Sequence, residues 1–491
     1  MAEALTLSSE DRNILESGPV RELLERVSGS VRVSAESGVD LSDAEELRSH
    51  GIDELVQAAV FGADDVRDTA RWLIGEVGRQ VGIQPASIHE LYLARGRGEV
   101  SGFTVPAMNI RAAAYDSGRA LFSAARDLNV GALICEIARS EIGYTDQRPV
   151  EYVTVMTAAA IKEGWTGPLF VQGDHFQVNA KKFAADPEPE VRAVRDLIRE
   201  AIHAGFYNID VDTSTLVDLS RGSHEEQQEV NSRLSAELTA YIRKYEPAGV
   251  TVSVGGEIGE VGTENSTPEE QRAYMDGFAR ELERISEKLG QPLAGLSKIS
   301  VQSGTSHGGV VLPDGSIAEV AIDLETLQTL SRIARDEYGL AGAVQHGAST
   351  LPPEAFGKFP EMETAEIHLA TNFQNIFFDH LPEELRERMY AYCGENFPEE
   401  RKSGDTDEQF IYKARKKTLG VFKKELWDLP AETRTGIRKA LREQFEFLFR
   451  KLAVVDTQDA VSRHVTATAV PRSGPTAMRH KAAADDWDLS D

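Results

Sequence analysis

The stretch Leu169-Phe170-Val171-Gln172-Gly173-Asp174-His175 joins a short apolar run to a polar turn that ends in histidine. The pattern recurs where Ile299–Gln302 precedes Ser306-His307-Gly308 and where Ala341–Gln345 precedes His346-Gly347-Ala348-Ser349. Short apolar runs bounded by turn residues are typical of buried strands. Three imidazoles at the ends of separate strands suit a catalytic divalent metal, with one coordination position left for substrate. We therefore predict that His175, His307 and His346 bind a metal.

Strand-like and helical patterns alternate over residues 102–380. The candidate strands lie at 103–109, 130–137, 168–173, 207–212, 250–257, 297–303, 341–346 and 365–371. The clearest amphipathic helical patterns lie at 187–204, 221–245, 268–289 and 323–337. Eight such units predict an α/β fold, a (β/α)8 barrel, whose functional residues lie at the C-terminal ends of the strands. The three histidine motifs fall at that end.

Helical patterns extend the chain on both sides of the barrel. We predict an N-terminal helical extension at 1–100, the barrel at 101–382, a C-terminal helical extension at 383–464 and a disordered tail at 465–491. The C-terminal extension is rich in apolar side chains around Phe445–Phe449. These side chains either pack on the outer helices of the barrel or join subunits.

Composition restricts the class of partner. The 491 residues carry a formal net charge of −27 and two cysteines. So acidic a chain is not a general nucleic-acid binder, and two cysteines give no disulfide framework. No apolar stretch approaches the roughly 20 residues that span a bilayer. The N-terminus lacks a cationic start followed by an apolar run, so we expect no secretory signal. We therefore expect a cytoplasmic protein. The net charge still allows a small anionic substrate, because such a substrate needs only local positive potential.

Acidic residues accompany the predicted metal ligands. Asp174 can face the substrate while His175 faces the metal, and could exchange a proton with a substrate hydroxyl; capping of a following helix is the alternative. Asp210 and Asp212 share one side of their strand, where one could orient a metal-bound imidazole or bind a second cation. Thr213 or Ser214 would serve equally well there as a helix N-cap.

The next strand runs into a glycine-rich loop. Glu257, at the strand end, can reach a metal, and Glu260 and Glu264 lie on a segment that glycines allow to move. This loop is a plausible place for an acid–base group that closes over a substrate.

Turns beside the histidines predict phosphate binding. Backbone N–H groups and hydroxyls after His346 can cradle a phosphate. We assign the substrate phosphate to Gly308, Gly347, Ser349, Asn372 and Asn109.

Together these motifs resemble the class II, metal-dependent fructose-bisphosphate aldolases and their tagatose-bisphosphate branch. The resemblance covers about residues 100–380. It implies that Asp174 is catalytic and that His175, His307 and His346 are the three metal histidines. Among the acids, the family's strand-end aspartate best matches Asp212, with Asp210 as a register alternative.

The resemblance also implies that Glu257 lies near the metal and that Glu264, in the loop Val261–Ser266, is the mobile acid. The implied activity is reversible aldol cleavage of a phosphorylated ketose, with fructose 1,6-bisphosphate first, to dihydroxyacetone phosphate and an aldehyde. The implied cofactor is one catalytic Zn2+, with a second divalent or monovalent cation left open. The implied assembly is a homodimer or a larger homo-oligomer.

The chain departs from the family in its phosphate motifs. The last-strand motif Asn-Ile-Asp-Thr corresponds to Ala370-Thr371-Asn372-Phe373, and a lysine is replaced within Val310-Val311-Leu312. A serine is missing around Glu136–Ala138, where Arg139 is the next candidate. Tagatose 1,6-bisphosphate and other ketose phosphates therefore stay open as substrates, as does a non-catalytic barrel that stabilises a partner aldolase.

Overall fold

Eight parallel strands close into a barrel. The computed structural model describes residues 7–34, 38–259, 264–304, 312 and 322–479. The barrel strands, β1 to β8 in chain order, are Val105–Asn109, Ile134–Ala138, Gly167–Gln177, Asn208–Asp212, Ser253–Glu257, Lys298–Val301, Ala343–Gln345 and Glu366–Leu369. Each strand pairs with the next, and β8 pairs with β1 to complete the ring. The predicted (β/α)8 fold is confirmed.

Helices surround this ring. They are Ala114–Asp127, Arg139–Tyr144, Pro149–Glu163, Ala180–Ala185, Pro187–Ala204, His224–Tyr245, Pro268–Leu289, Leu324–Tyr338, Lys358–Glu361 and Thr371–Asp379. Local signals fix their ends: Thr267 and Glu270 form a reciprocal capping box before Pro268, and Gly290 ends the helix at φ 68°. Two predicted helices, 187–204 and 268–289, have these bounds in the structure.

The N-terminal extension carries the helices Ser9–Glu16, Gly18–Val27, Ala44–Glu46, Ile52–Phe61, Asp64–Gln80 and His89–Gly96. It also contains short strands that we did not predict. Val31–Ser34 pairs antiparallel with Gly38–Leu41, and Ile83–Ala86 pairs with the first half of β3. At four residues each, these strands are too short to show a periodic pattern.

The helix His89–Gly96 closes the N-terminal end of the barrel. The Arg95 guanidinium donates to the carbonyl oxygens of Ala341 and Thr364, just before β7 and β8, at 3.1 and 2.9 Å, and also to Phe103 before β1. The Tyr92 hydroxyl reaches inward to the Glu366 carboxylate. This end of the barrel is therefore sealed, and the opposite end carries the loops.

The C-terminal extension consists of Glu383–Asn396, Asp407–Ala414, Thr418–Val421, Lys423–Trp427, Ala431–Lys451 and Gln458–His464. Phe445, Leu448 and Phe449 are buried within the chain, and the Phe445 ring lies 4.8 Å from that of Phe373. The Phe447 ring lies 5.9 Å from that of Phe356. These side chains thus pack on the barrel, the first of the two options given by the sequence.

We predicted disorder for 465–491, but residues 467–479 contact both the N-terminal extension and the barrel. The Trp72 indole donates to the Arg472 carbonyl at 3.0 Å, and Arg479 pairs with Asp68 at 2.7 Å. The Arg479 side chain has carboxylate partners here, and composition alone could not predict them. Residues 480–491 lie outside the described residues. Among the helices of the described part, none is long and apolar enough to cross a bilayer.

Candidate metal centre

Asp174, His175 and His346 converge at the C-terminal end of the barrel. Asp174 and His175 lie within β3, and His346 directly follows β7. One potential ligand atom from each residue lies within 4.8 Å of the others. The rings of His175 and His346 are 4.3 Å apart. Two histidines that are far apart in the sequence, one inside β3 and one directly after β7, thus share one site.

Two carboxylates orient the His175 ring. Its Nδ1 lies 2.8 Å from Asp212 Oδ2 and 3.2 Å from Glu257 Oε2, while its Nε2 lies 3.7 Å from Asp174 Oδ1. Asp212 is itself fixed by Gln177 and Ser214, which donate at 2.7 Å each. Carboxylates behind an imidazole fix its ring orientation and raise its basicity as a ligand. Asp212 therefore lies behind the His175 ring and forms with it and Glu257 one group of potential metal ligands, whereas Asp210 belongs to another group with Glu136, Asp174 and His368.

The backbone bends to present His175. The pairing of β3 with β4 shifts register between Gly173 and Phe176, and His175 has φ 42°. A left-handed backbone at a non-glycine residue costs about 1–3 kcal/mol and persists where the surroundings enforce it. Gly173 is required because an added Cβ would lie 2.5 Å from the Phe176 ring. This bulge turns His175 toward the centre.

Asp174 is held through both carboxylate oxygens. Asn109 Nδ2 donates to Oδ2 at 3.1 Å and also to Glu141 Oε2 at 2.8 Å. His368 Nδ1 lies 3.2 Å from Oδ1. Asn109, which we predicted at the phosphate, contacts these two carboxylates in the structure. Its amide joins the predicted catalytic carboxylate to β1.

Burial and neighbouring charges shift the pKa values of three groups in the centre. Burial opposes ionisation of Asp174, but neighbouring His175 and His368 hold its pKa well below the usual range. Burial also opposes protonation of His175, and Asp174 and Glu257 nevertheless raise its pKa well above the usual value. Burial, followed by the charge of Asp212, raises the pKa of Glu257 to about 7. Clustered shifts of this kind are characteristic of functional sites.

The structure describes some of the remaining predicted site residues and leaves others outside the described ranges. His346 Nε2 lies 2.9 Å from Ser300 Oγ. His307, Gly308 and Glu260 lie outside the described residues. Glu264 is described, and its side chain is exposed to solvent. The structure thus brings together His175, His346, Asp174, Asp212 and Glu257 of the predicted site.

The turn after His346 has a different set of contacts from the predicted cradle. Gly347 adopts φ 67° and begins the short 3-10 turn Ala348–Thr350. The Ser349 hydroxyl accepts from the backbone N–H groups of Ala370 and Thr371, at 2.6 and 3.2 Å. Asn372 is half-buried in the first turn of the helix Thr371–Asp379. Arg139, the fallback candidate, pairs with Glu190 at 2.5 Å.

Sequence reasoning missed a buried polar cluster inside the barrel. It comprises His368 and Glu366 from β8, Lys298 from β6, Glu136 from β2 and Asp210 from β4. Asp210, our register alternative, pairs with Lys298 at 2.9 Å. The signal available in the sequence was the spacing of two, as in Glu366 and His368, which directs both side chains to one face of a strand.

The donor set suits a divalent metal ion. Imidazole nitrogens together with carboxylate oxygens are ligands of zinc and other first-row metals. Asp174, Asp212 and Glu257 are buried there, and their carboxylates would compensate the charge of a bound cation. We therefore take His175 and His346 as ligands that such an ion would use, with Asp174 beside it.

The sequence profile described as "Fructose-bisphosphate aldolase class-II" matches residues 97–428. Among solved structures, the native fructuronate-tagaturonate epimerase UxaE from Cohnella laeviribosi matches with a TM-score of 0.53 and 14% identity, over 88% of this chain and 90% of that one. Fructose-bisphosphate aldolase from Campylobacter jejuni matches with a TM-score of 0.46 and 19% identity, over 76% of this chain and 97% of that one. Among curated proteins, none matches the sequence. The structural likeness to the epimerase supports the fold.

Proposed function

The chain belongs to the class II fructose-bisphosphate aldolase family, and we propose on that basis that it is a metal-dependent aldolase of phosphorylated ketoses. The proposed reaction cleaves the ketose reversibly to dihydroxyacetone phosphate and an aldehyde. Fructose 1,6-bisphosphate is the first substrate to test. The observation that carries the proposal is the convergence of Asp174, His175 and His346 at the open end of the barrel.

We propose Zn2+ as the cofactor, with His175, His346 and His307 as its histidine ligands. A divalent ion bound there would act as a Lewis acid that polarises the substrate carbonyl and stabilises developing negative charge. Asp212 and Glu257 keep the His175 ring in the orientation that ligation needs. They also compensate positive charge that is buried with the ion.

Asp174 is the proposed base. As an ionised carboxylate beside the metal, Asp174 would accept the C4 hydroxyl proton. Cleavage of the C3–C4 bond then leaves C3 to be protonated, and we propose Glu264 for that transfer. Because Glu264 is exposed here, this role requires its segment to move toward the site.

We propose that the substrate phosphate binds beside the metal at the turns of Gly308 and Gly347, with Ser349, Asn372 and Asn109 nearby. In the structure Ser349 and Asn109 hold other groups of the protein. Their proposed role therefore combines phosphate contact with support of the turn and of Asp174.

The departures from the family's phosphate motif at Ala370-Thr371-Asn372-Phe373 favour a second candidate, a substrate whose anionic group is not a phosphate. Fructuronate and tagaturonate, the compounds in the name of the structurally similar epimerase, represent that class. The third candidate is a non-catalytic barrel that stabilises a partner aldolase. Tightly held metal would support an enzyme, whereas a metal-free, inert chain that co-purifies with an aldolase would support this subunit role.

A substrate screen separates these candidates. Chelator-treated protein is supplied with Zn2+, Mn2+ or Co2+ and given fructose 1,6-bisphosphate, tagatose 1,6-bisphosphate, a ketose monophosphate and the two uronates. We expect metal-dependent release of dihydroxyacetone phosphate from a ketose bisphosphate. Epimerisation of a uronate without cleavage would move the assignment to the second candidate. Inactivity toward all of these compounds would remove the enzyme proposal.

A further inference from the structure

His368 projects from β8 into the barrel and is 5% exposed. Its Nδ1 lies 3.2 Å from Asp174 Oδ1 and 3.2 Å from Glu136 Oε2. Its Nε2 lies 2.7 Å from Glu366 Oε1. Both ring nitrogens thus face carboxylate oxygens, which accept hydrogen bonds when ionised. Each nitrogen is suited to donate, and the ring has a defined orientation.

A chain of buried groups holds His368 from behind. Lys298 Nζ donates to Glu366 Oε1 at 2.5 Å and to Gln172 Oε1 at 2.7 Å. The Tyr92 hydroxyl donates to the other oxygen of Glu366 from the closed end of the barrel. Hydrogen-bonded contacts therefore run without a gap from Tyr92 through Glu366 and His368 to Asp174.

A network of this kind is costly to bury. Buried ion pairs often stabilise a protein less than apolar side chains of the same volume would, because the charges lose their hydration. A barrel core is usually filled by apolar side chains, and buried polar groups in it are expected where function requires them. Here the network ends on the one carboxylate that also stands 3.7 Å from His175.

Asp174 receives its two supports from different strands. Asn109 of β1 donates to Oδ2, and His368 of β8 faces Oδ1. With both oxygens contacted, rotation of the carboxylate about its Cβ–Cγ bond breaks at least one hydrogen bond. The plane of the carboxylate is thereby fixed relative to the metal centre.

We infer that His368 is a positioning residue, which holds the Asp174 carboxylate in its reactive orientation and is itself held by Glu366 and Lys298. This inference rests on the proposed function, in which Asp174 is the base. His368 acts through Asp174; its ring also lies 4.0 Å from that of His346 and belongs to a group of potential ligands with Glu136, Asp174 and Asp210.

Two amide replacements test which ring nitrogen matters. The Asn amide nitrogen stands near the place of Nδ1, whereas the Gln amide nitrogen stands near that of Nε2. We expect His368→Ala to lower kcat about 10²-fold, as a misplaced reactive group does, with KM and bound metal little changed. His368→Asn should recover more of the lost kcat than His368→Gln. Equal recovery by both, or wild-type kcat in His368→Ala, would overturn the inference.

NMR of the His368 ring tests its contact with Asp174 independently of the proposed aldolase activity. In protein with 15N-labelled histidine, Asp174→Asn should shift the Nδ1 resonance of His368, and Asp212→Asn, which alters the His175 side of the site, should leave it in place. If the wild type cleaves none of the ketoses but this shift is seen, the proposed function fails and the contact stands. A His368 Nδ1 resonance that ignores Asp174→Asn would refute the contact itself.

Discussion

The replacement Lys298→Met tests the energetics of the barrel interior. The side chain of Lys298 is fully buried, and its ammonium lies 2.9 Å from Asp210 Oδ1 and 2.5 Å from Glu366 Oε1. Burial opposes protonation of Lys298, but these two carboxylates raise its pKa, so the group is charged. Methionine keeps the length of the side chain and removes the charge. Asp210 and Glu366 would then lose the ammonium, and the His368 ring would remain 3.6 and 2.7 Å from them.

Removing one partner of a buried pair costs about 3–5 kcal/mol, because the other charge stays buried without compensation. We expect a loss of that size in urea unfolding, seen as a lower midpoint with an unchanged slope. Lys358→Met is the matched control: Lys358 pairs with Glu361 at 2.8 Å, but both side chains are at least half exposed. Its loss should stay within about 1 kcal/mol.

A second variant isolates the charge. In Lys298→Met/Glu366→Gln one of the two carboxylates is also neutral, so the double variant should be more stable than the sum of its single changes predicts. A loss below about 1 kcal/mol in Lys298→Met, close to the Lys358→Met control, would refute the reasoning that Lys298 balances buried charge.

Three local environments can be tested by single substitutions. Gly173→Ala places a Cβ 2.5 Å from the buried Phe176 ring, so it should destabilise the protein by about 1–3 kcal/mol in the same urea assay. An unchanged unfolding midpoint would contradict the close packing of Gly173 against Phe176. Ser349→Ala leaves two backbone N–H groups without their acceptor and should lower the free energy of unfolding by about 1–3 kcal/mol. Weaker substrate binding with unchanged stability would show that the hydroxyl serves only the substrate. Burial, with the charge of Arg243, lowers the pKa of His89 to about 4, below the 6.5 of an unfolded chain. The contribution of neutral His89 to the free energy of unfolding is therefore complete above pH 6.5 and is lost as the pH falls toward 4, by about 3 kcal/mol in total. In His89→Gln the free energy of unfolding should depend less on pH over this range.

The barrel could be predicted because each of its strands and helices carries a local signal. The helix Pro268–Leu289 begins at a capping box and ends at a glycine, so its bounds could be predicted from local residues. The short strands of the N-terminal extension were harder to predict. Val31–Ser34 and Ile83–Ala86 have four residues each, and Ile83–Ala86 forms only because β3, far along the chain, offers it an edge.

The candidate site was predictable where a histidine follows an apolar run and has a glycine within two residues, as for His175 and His346. The choice between Asp210 and Asp212 was not, because the two residues share one strand face and only the bulge after Gly173 brings His175 to Asp212. His368 escaped notice because it lies inside a strand, next to no turn, and its partner Asp174 is 194 positions away. Long-range pairing of this kind leaves no local pattern.

The most direct test of the account measures bound metal and aldol cleavage on the same samples. We expect tightly held divalent metal in the wild type, loss of cleavage on chelation, and recovery with Zn2+. His346→Ala should lose both metal and cleavage, while His50→Ala, which changes an exposed histidine outside the site, should lose neither. Full cleavage by metal-free protein, or a substrate adduct trapped by borohydride, would contradict the central claim that a metal held by these histidines drives the reaction.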